Sequence, residues 1–298
     1  MKGLILAASF IFGSIVGSFL NVLVERIDKN ESFIKGRSYC PYCKKTLSWG
    51  ELIPIFSYFY LKGRCSRCKN KIPKEYPIVE FITGICFLFL TLKIFRFSFL
   101  NTLFTAINLE KIIILLNFGF WYFWVFILLA VSIYDIKKYL ILGEILIPAT
   151  IVSFIWRIVY GFFLTGKKNI LISQFSEFLG SQSYIFGHFS YFLSLIFGII
   201  FSFGVIALIV YLTKEKAMGW GDAILAFFIG LILGWPNALI AIILSFLLGG
   251  AISLILIILK KKNLKSYLPF APFLSLGALL VMLFGDIMIK VYLSMFLI

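Results

Sequence analysis

The sequence predicts an all-α polytopic membrane protein with about eight transmembrane helices and a small cytoplasmic four-cysteine loop domain. Three observations carry that prediction. Hydrophobic residues make up 61% of the 298 and charged residues 14%, more apolar surface than a soluble domain of this size could bury. Apolar runs close to the roughly 20 residues that cross a bilayer recur along the chain. The one long polar stretch, residues 25–76, carries two Cys-x-x-Cys pairs. The net charge of +15 invites a nucleic-acid partner, but the lysines and arginines gather in loops beside apolar segments. That placement is a topology signal, and the expected partner is the lipid bilayer, not nucleic acid.

In chain order the spans are Gly3 to Val24, Ile78 to Leu92, Ile112 to Tyr134, Leu140 to Leu164, Phe189 to Leu212, Ala223 to Leu233, Ala238 to Leu259 and Leu268 to Ile289. The first lacks a small-residue cleavage site followed by a polar region, so it is expected to stay as a helix and not to leave as a signal peptide. The sixth is short, and Gly234-Trp-Pro236-Asn after it is a turn signal. It is expected either to span incompletely or to begin deeper in the bilayer.

With the amino terminus outside, four segments face the cytoplasm: 25–76, 135–139, 213–222 and 260–267. They hold 12, 2, 2 and 4 Lys or Arg, 20 of the 28 in the chain, so the positive-inside rule selects this orientation. The expected organisation is a first transmembrane helix over 1–24, a cytoplasmic cysteine domain over 25–76 and a transmembrane region over 77–298.

Two acids stand at the cytoplasmic ends of the third and sixth spans: Asp135, in Val-Ser-Ile-Tyr-Asp135, and Asp222, in Met-Gly219-Trp-Gly221-Asp222. A carboxylate at a membrane edge is costly unless paired, hydrated or used. The bland readings are a helix cap for Asp222 and a salt pair with Lys137 or Lys138 for Asp135. Glycines 219 and 221 are expected to let the chain turn sharply and a substrate strand approach closely. Among the other acids, Glu80 either supports the loop or belongs to a second site, Glu144 lies within a span, and Asp286 is expected to be solvated. Asn21 is expected to make an interhelical hydrogen bond.

In the polar stretch, Cys40-Pro-Tyr-Cys43 is followed after 21 residues by Cys65-Ser-Arg-Cys68. Two such pairs supply the tetrahedral sulfur set that zinc prefers. Four ordinary thiols, or two dithiol redox motifs, are the alternatives. A cytoplasmic loop argues against permanent disulfides, and about 50 residues make too small a core to fold unaided, which favours a structural zinc. Cys86 lies inside an apolar run and is read as packing. Between the pairs, the aromatic stretch Leu47 to Arg64 either packs on the membrane surface or forms the core of the metal module.

Several motifs, in order, resemble those of the type IV prepilin peptidases, the bifunctional leader peptidase and N-methyltransferase family. They are Gly17-Ser-Phe-Leu-Asn21-Val; the cysteine loop with Trp49, Pro54, Ser57-Tyr58 and Gly63-Arg64; Tyr76-Pro77-Ile-Val-Glu80-Phe-Ile-Thr-Gly84; Gly219-Trp-Gly221-Asp222; and Leu268-Pro269-Phe-Ala-Pro272-Phe-Leu-Ser-Leu-Gly277. The chain departs from the family pattern at Leu142 and Gly143, where Pro and Asp or Asn are usual, and at Glu75, where a basic residue is common. The resemblance implies a bacterial inner-membrane aspartic peptidase that removes basic leader peptides from prepilin or pseudopilin substrates after a Gly. It also implies that S-adenosylmethionine then methylates the new amino terminus.

The residues lead to the same hydrolysis independently. The only histidine, His188, falls in an extracytoplasmic loop away from both acids, so no Ser-His-Asp set is available. Nor does the membrane region hold a His/Glu cluster for a catalytic zinc. Two carboxylates sharing a site leave one charged and one protonated, a base for water and an acid for the carbonyl. Rival readings are a presenilin-like protease, an ion- or proton-coupled transporter, and a non-catalytic secretion scaffold. The cysteine loop and the Pro269 to Gly277 segment do not suit the first, and acids at helix ends do not suit the second.

Overall fold

The computed structural model describes residues 2–29, 31–32, 36–96, 109–165, 190–261 and 267–296. Its helices are α1 Lys2–Asp28, α2 Phe56–Tyr60, α3 Glu75–Arg96, α4 Leu109–Lys138, α5 Gly143–Thr165, α6 Ser190–Thr213, α7 Trp220–Leu233, α8 Asn237–Ile258 and α9 Ala271–Phe296, with a 3-10 turn at Trp49–Leu52. Strand pairing among the described residues is limited to two isolated bridges, Tyr39 with Thr46 and Arg64 with Lys71.

Of these helices, 7 are long and apolar enough to cross a membrane. The remaining apolar helix, α7, has 14 residues and so is about 21 Å long, against a hydrocarbon core of about 30 Å. The expected eighth span is therefore a short helix. It is buried at Asp222, Ala223, Leu225, Ala226 and every position from Phe228 to Leu233, as suits a helix apolar on all sides. Its end is a partly buried turn whose backbone is satisfied by α6: Trp235 N–H donates to Ser194 O at 2.9 Å, and Ser194 Oγ donates to Trp235 O at 2.8 Å. Irregular backbone at membrane depth needs such partners.

The chain forms two compact units, Met1–Arg96 and Phe97–Ile298. In the first, α1 and α3 pack along small residues. A Cβ on Gly13 would come within 2.7 Å of Phe87 Cβ, and one on Gly17 within 2.7 Å of Glu80 Cα. Gly13 and Gly17 are a small-xxx-small pair, the means by which membrane helices approach closely without a hydrophobic driving force. Ser9 Oγ adds an interhelical bond to Phe87 O at 3.0 Å.

The segment between α1 and α3 is tied to both. The buried Arg26 guanidinium donates to Ser32 O at 3.1 Å and Arg37 O at 3.0 Å, and Tyr76 O–H donates to Glu25. Ile55 N–H donates to Glu80 Oε2 at 2.7 Å, which fixes the start of α2 against the second turn of α3. The aromatic stretch is not the core of the module: Trp49, Phe56, Phe59 and Tyr60 are 84%, 63%, 69% and 77% exposed. A helix of five residues offers too little surface of its own to cover its rings.

In the second unit, α7 lies against α6, α5, α9 and α8, and α9 also packs on α8 and α4. The α6–α7 contact is again backbone-close, since a Cβ on Gly230 would meet Gly198 O at 2.5 Å.

Candidate active site and metal centre

Asp135 sits in the last turn of α4 and is 5% exposed. The helix ends beyond it because Tyr139 turns left-handed, φ 56°, with its N–H on Asp135 O at 2.8 Å. The carboxylate is placed from far along the chain. In the first turn of α9, Phe273 N–H bonds Phe270 O at 3.0 Å and Pro272 has no N–H to give. Ala271 N–H would be an orphan donor, and Asp135 Oδ2 accepts it at 3.1 Å across 136 residues of sequence. The positive end of α9 favours a negative charge there.

Asp222 is held by its own helix. Gly219 is the N-cap of α7, and Asp222, three residues on, reaches back so that Oδ2 accepts Gly219 N–H at 3.2 Å. Asp222 is therefore not itself the cap. The two glycines differ in what they do, and neither adopts the positive φ of a sharp turn. A Cβ on Gly221 would lie 2.9 Å from Ile141 Cβ, whereas one on Gly219 would meet nothing nearer than 3.9 Å. Gly221 lets α7 press against the α4–α5 connection and so brings Asp222 toward Asp135.

Both carboxylates line one cavity of about 670 Å³, together with Tyr139, Ile141, Met218, Tyr267 and Pro269. Asp135 lies within reach of the Asp222 charge. The family's usual Pro after the first acid is replaced without loss of the turn: Leu142 is buried, its carbonyl accepts Leu146 N–H at 2.9 Å, and α5 begins at Gly143. Glu75 opens α3, where an acid suits the helix dipole. Two buried carboxylates facing a peptide-sized cavity can act as base and acid on an amide.

Asn21 bridges helices as expected, Nδ2 donating to Tyr76 O at 3.3 Å. Glu80 anchors the loop through Ile55. Glu144 is exposed in the first turn of α5, Asp286 is half-buried, and Cys86 is half-buried within α3. His188 lies outside the described residues.

The four cysteines meet. The sulfur atoms of Cys40, Cys43, Cys65 and Cys68 all lie within 4.8 Å of one another, with Cys40–Cys68 at 3.8 Å and Cys43–Cys65 at 4.0 Å. A zinc–sulfur bond of about 2.3 Å gives a tetrahedron with edges of about 3.8 Å, so the set fits. Disulfides are absent among these residues. Each pair sits on the same turn. Cys40 N–H bonds Lys45 O and Cys65 N–H bonds Asn70 O, both at 2.9 Å, and Lys44 and Lys69 are left-handed at φ 56° and 59°. The four-cysteine cluster can bind a metal such as zinc.

Glu51 joins the two turns. It accepts Ser48 N–H at 2.7 Å, the Lys45 ammonium at 3.0 Å and the Ser66 hydroxyl. The Ser48 N–H, then Ser66 and Lys45, hold its carboxyl down at about 2 against desolvation.

Residues 11–94 match the family model for the bacterial peptidase A24 N-terminal domain, and residues 121–254 match that for the type IV leader peptidase family. Among relatives, a prepilin leader peptidase/N-methyltransferase of Bacillus subtilis is 30% identical over 292 residues, covering 97% of this chain and 98% of that protein. A protein of the same description from Pseudomonas aeruginosa is 26% identical over 309 residues, covering 96% and 92%. One from Myxococcus xanthus is 39% identical over 109 residues, covering 37% of this chain and 32% of that protein. No solved structure matches the chain.

Proposed function

The chain belongs to the type IV leader peptidase family, and from that premise we propose that it cleaves basic leader peptides from type IV prepilins or pseudopilins and methylates the new amino terminus. The observation that carries the peptidase reading is the single cavity lined by Asp135 and Asp222. One carboxylate takes a proton from water as it attacks the scissile carbonyl; the other, protonated, polarises the carbonyl oxygen. The roles then exchange as the amine leaves. The donors on the two acids are backbone N–H groups at helix starts, so neither carboxylate depends on a mobile side chain for its position.

Residues 25–76 form the metal domain, with Cys40, Cys43, Cys65 and Cys68 holding a structural zinc that leaves no open position for a water. Residues 77–298 carry the peptidase chemistry. S-adenosylmethionine supplies the methyl group when bound. The protein spans the bacterial inner membrane with the cysteine loop and both acids on the cytoplasmic side, a reading supported by the concentration of Lys and Arg in the loops that carry them.

The test is leader removal from a prepilin in proteoliposomes, followed by intact mass. Loss of the leader and a further gain of one methyl group is the expected result. A full-length prepilin after incubation with the wild-type protein would refute the reading.

A further inference from the structure

A second cavity, of about 160 Å³, lies wholly within the first unit. One wall is helical: Ser18, Asn21 and Glu25 of α1, with Tyr76 and Glu80 of α3. The other is the cysteine module, including Tyr58 and the sulfur-bearing Cys40 and Cys65. The peptidase chemistry uses none of these residues.

The exposed Lys29 and Lys71 also line it, but two of its buried polar groups are acceptors that no cation reaches. Asn21 is 3% exposed; its amide nitrogen is engaged by Tyr76 O, and that fixes which end of the amide is which, leaving Oδ1 buried with no partner. A buried unsatisfied carbonyl oxygen is a cost that a folded protein seldom carries without a use. Glu80 is 8% exposed. It accepts Ile55 N–H and interacts with the Ser18 hydroxyl, both uncharged, and no Lys or Arg pairs with it among the described residues. Arg26 borders the cavity, but its guanidinium donates to the carbonyls of Ser32 and Arg37. A buried carboxylate without a cation, beside an orphaned acceptor, calls for a positively charged donor.

We propose that this cavity binds a primary ammonium group through Asn21 Oδ1 and the Glu80 carboxylate. The inference rests on the methyl-transfer reading above, in which two ligands carry such a group: the methionyl end of the methyl donor and the freshly cut amino terminus of the substrate. The cavity takes an ammonium head and the first atoms of the chain attached to it. The Tyr58 and Tyr76 rings on its walls suit a cation, and the metal module forms its cover, which couples the cysteines to methylation without making them reactants.

Calorimetric titration of the full-length protein in nanodiscs separates the two sources. One arm uses S-adenosylhomocysteine and its deamino analogue, in which hydrogen replaces the amino group and the carboxylate is kept. The other uses a peptide with a free amino-terminal Phe and the same peptide acetylated. At least one ammonium-bearing ligand binds, its counterpart binds at least about tenfold more weakly, and Glu80→Gln and Asn21→Leu each weaken the same ligand at least about tenfold, the scale of one charge-assisted bond. Gln can still accept Ile55 N–H, so the Glu80 variant keeps the fold, checked as one metal per chain. The arm that responds names the ligand. The site is overturned if neither ligand binds, if the ammonium-free counterparts bind equally, or if either variant binds like wild type. The last result, with wild-type methylation intact, removes this site while leaving the proposed function standing.

Discussion

Replacing Gly221 by Ala tests how the second acid reaches the first. The added Cβ would lie 2.9 Å from Ile141 Cβ and 3.2 Å from both Ile141 Cγ1 and Cδ1. Carbon atoms pack at about 3.5–4.0 Å, so α7 and the α4–α5 connection must part by roughly 1 Å. The nearest obstacle is a Cβ and cannot rotate away. Overpacking of this kind costs about 1–3 kcal/mol, which the fold survives, but a displacement of about 1 Å at the reacting groups is worth about 10²-fold in rate. Leader cleavage measured as kcat/KM should fall by about that factor in Gly221→Ala, with helix content unchanged. Gly219→Ala, whose Cβ would meet nothing nearer than 3.9 Å, should stay near wild type, and adding Ile141→Gly, which removes the obstructing Cβ, should restore part of the loss. Equal losses at both glycines, or full activity in Gly221→Ala, would refute the reasoning.

Ala271→Pro removes the N–H that holds Asp135 while keeping a residue suited to the first helical position; cleavage should drop roughly ten- to a hundredfold with circular dichroism unchanged. Cys40→Ser or Cys65→Ser should lower zinc, read by elemental analysis, from one per chain toward none, and should cost methylation more than cleavage. Glu51→Gln should lower the denaturant midpoint of the metal module at neutral pH. Its carboxyl falls from an ordinary 4.5 to about 2 on folding, so the stabilisation is complete above about pH 4.5 and fades as pH falls through 2. The gap between wild type and variant should therefore close only across that window.

The parts of this molecule written in short spacings were readable from the sequence. Apolar runs located the helices to within a few residues, because lipid demands length, except that the last helix continues beyond Ile289 to Phe296. Two Cys-x-x-Cys pairs announced a sulfur tetrahedron, because each pair is one local turn. Asp135 and Asp222 stood out as acids in an apolar chain. What escaped was set by contacts distant in sequence. Nothing near Asp135 points to Ala271, 136 residues away, although Pro272 removing a donor from the start of α9 was the available signal. Glu80 was legible as a buried acid but not as the acceptor for Ile55. Gly13-x-x-x-Gly17 has the spacing of a packing motif, but the other small residues of α1, such as Ala7, Ser14 and Ser18, offer competing faces at similar spacings. The aromatic stretch around Trp49 could not be assigned, since ring-rich segments look alike whether they fill a core or face outward.

The claim that Asp135 and Asp222 act as one site is tested most directly by cleavage rates of Asp135→Asn, Asp222→Asn and the double variant on one prepilin. Groups that act as a unit are strongly non-additive, so each single change should abolish leader removal to the same residual level as the double. A single variant that retains substantial cleavage, or losses that multiply in the double, would contradict the account.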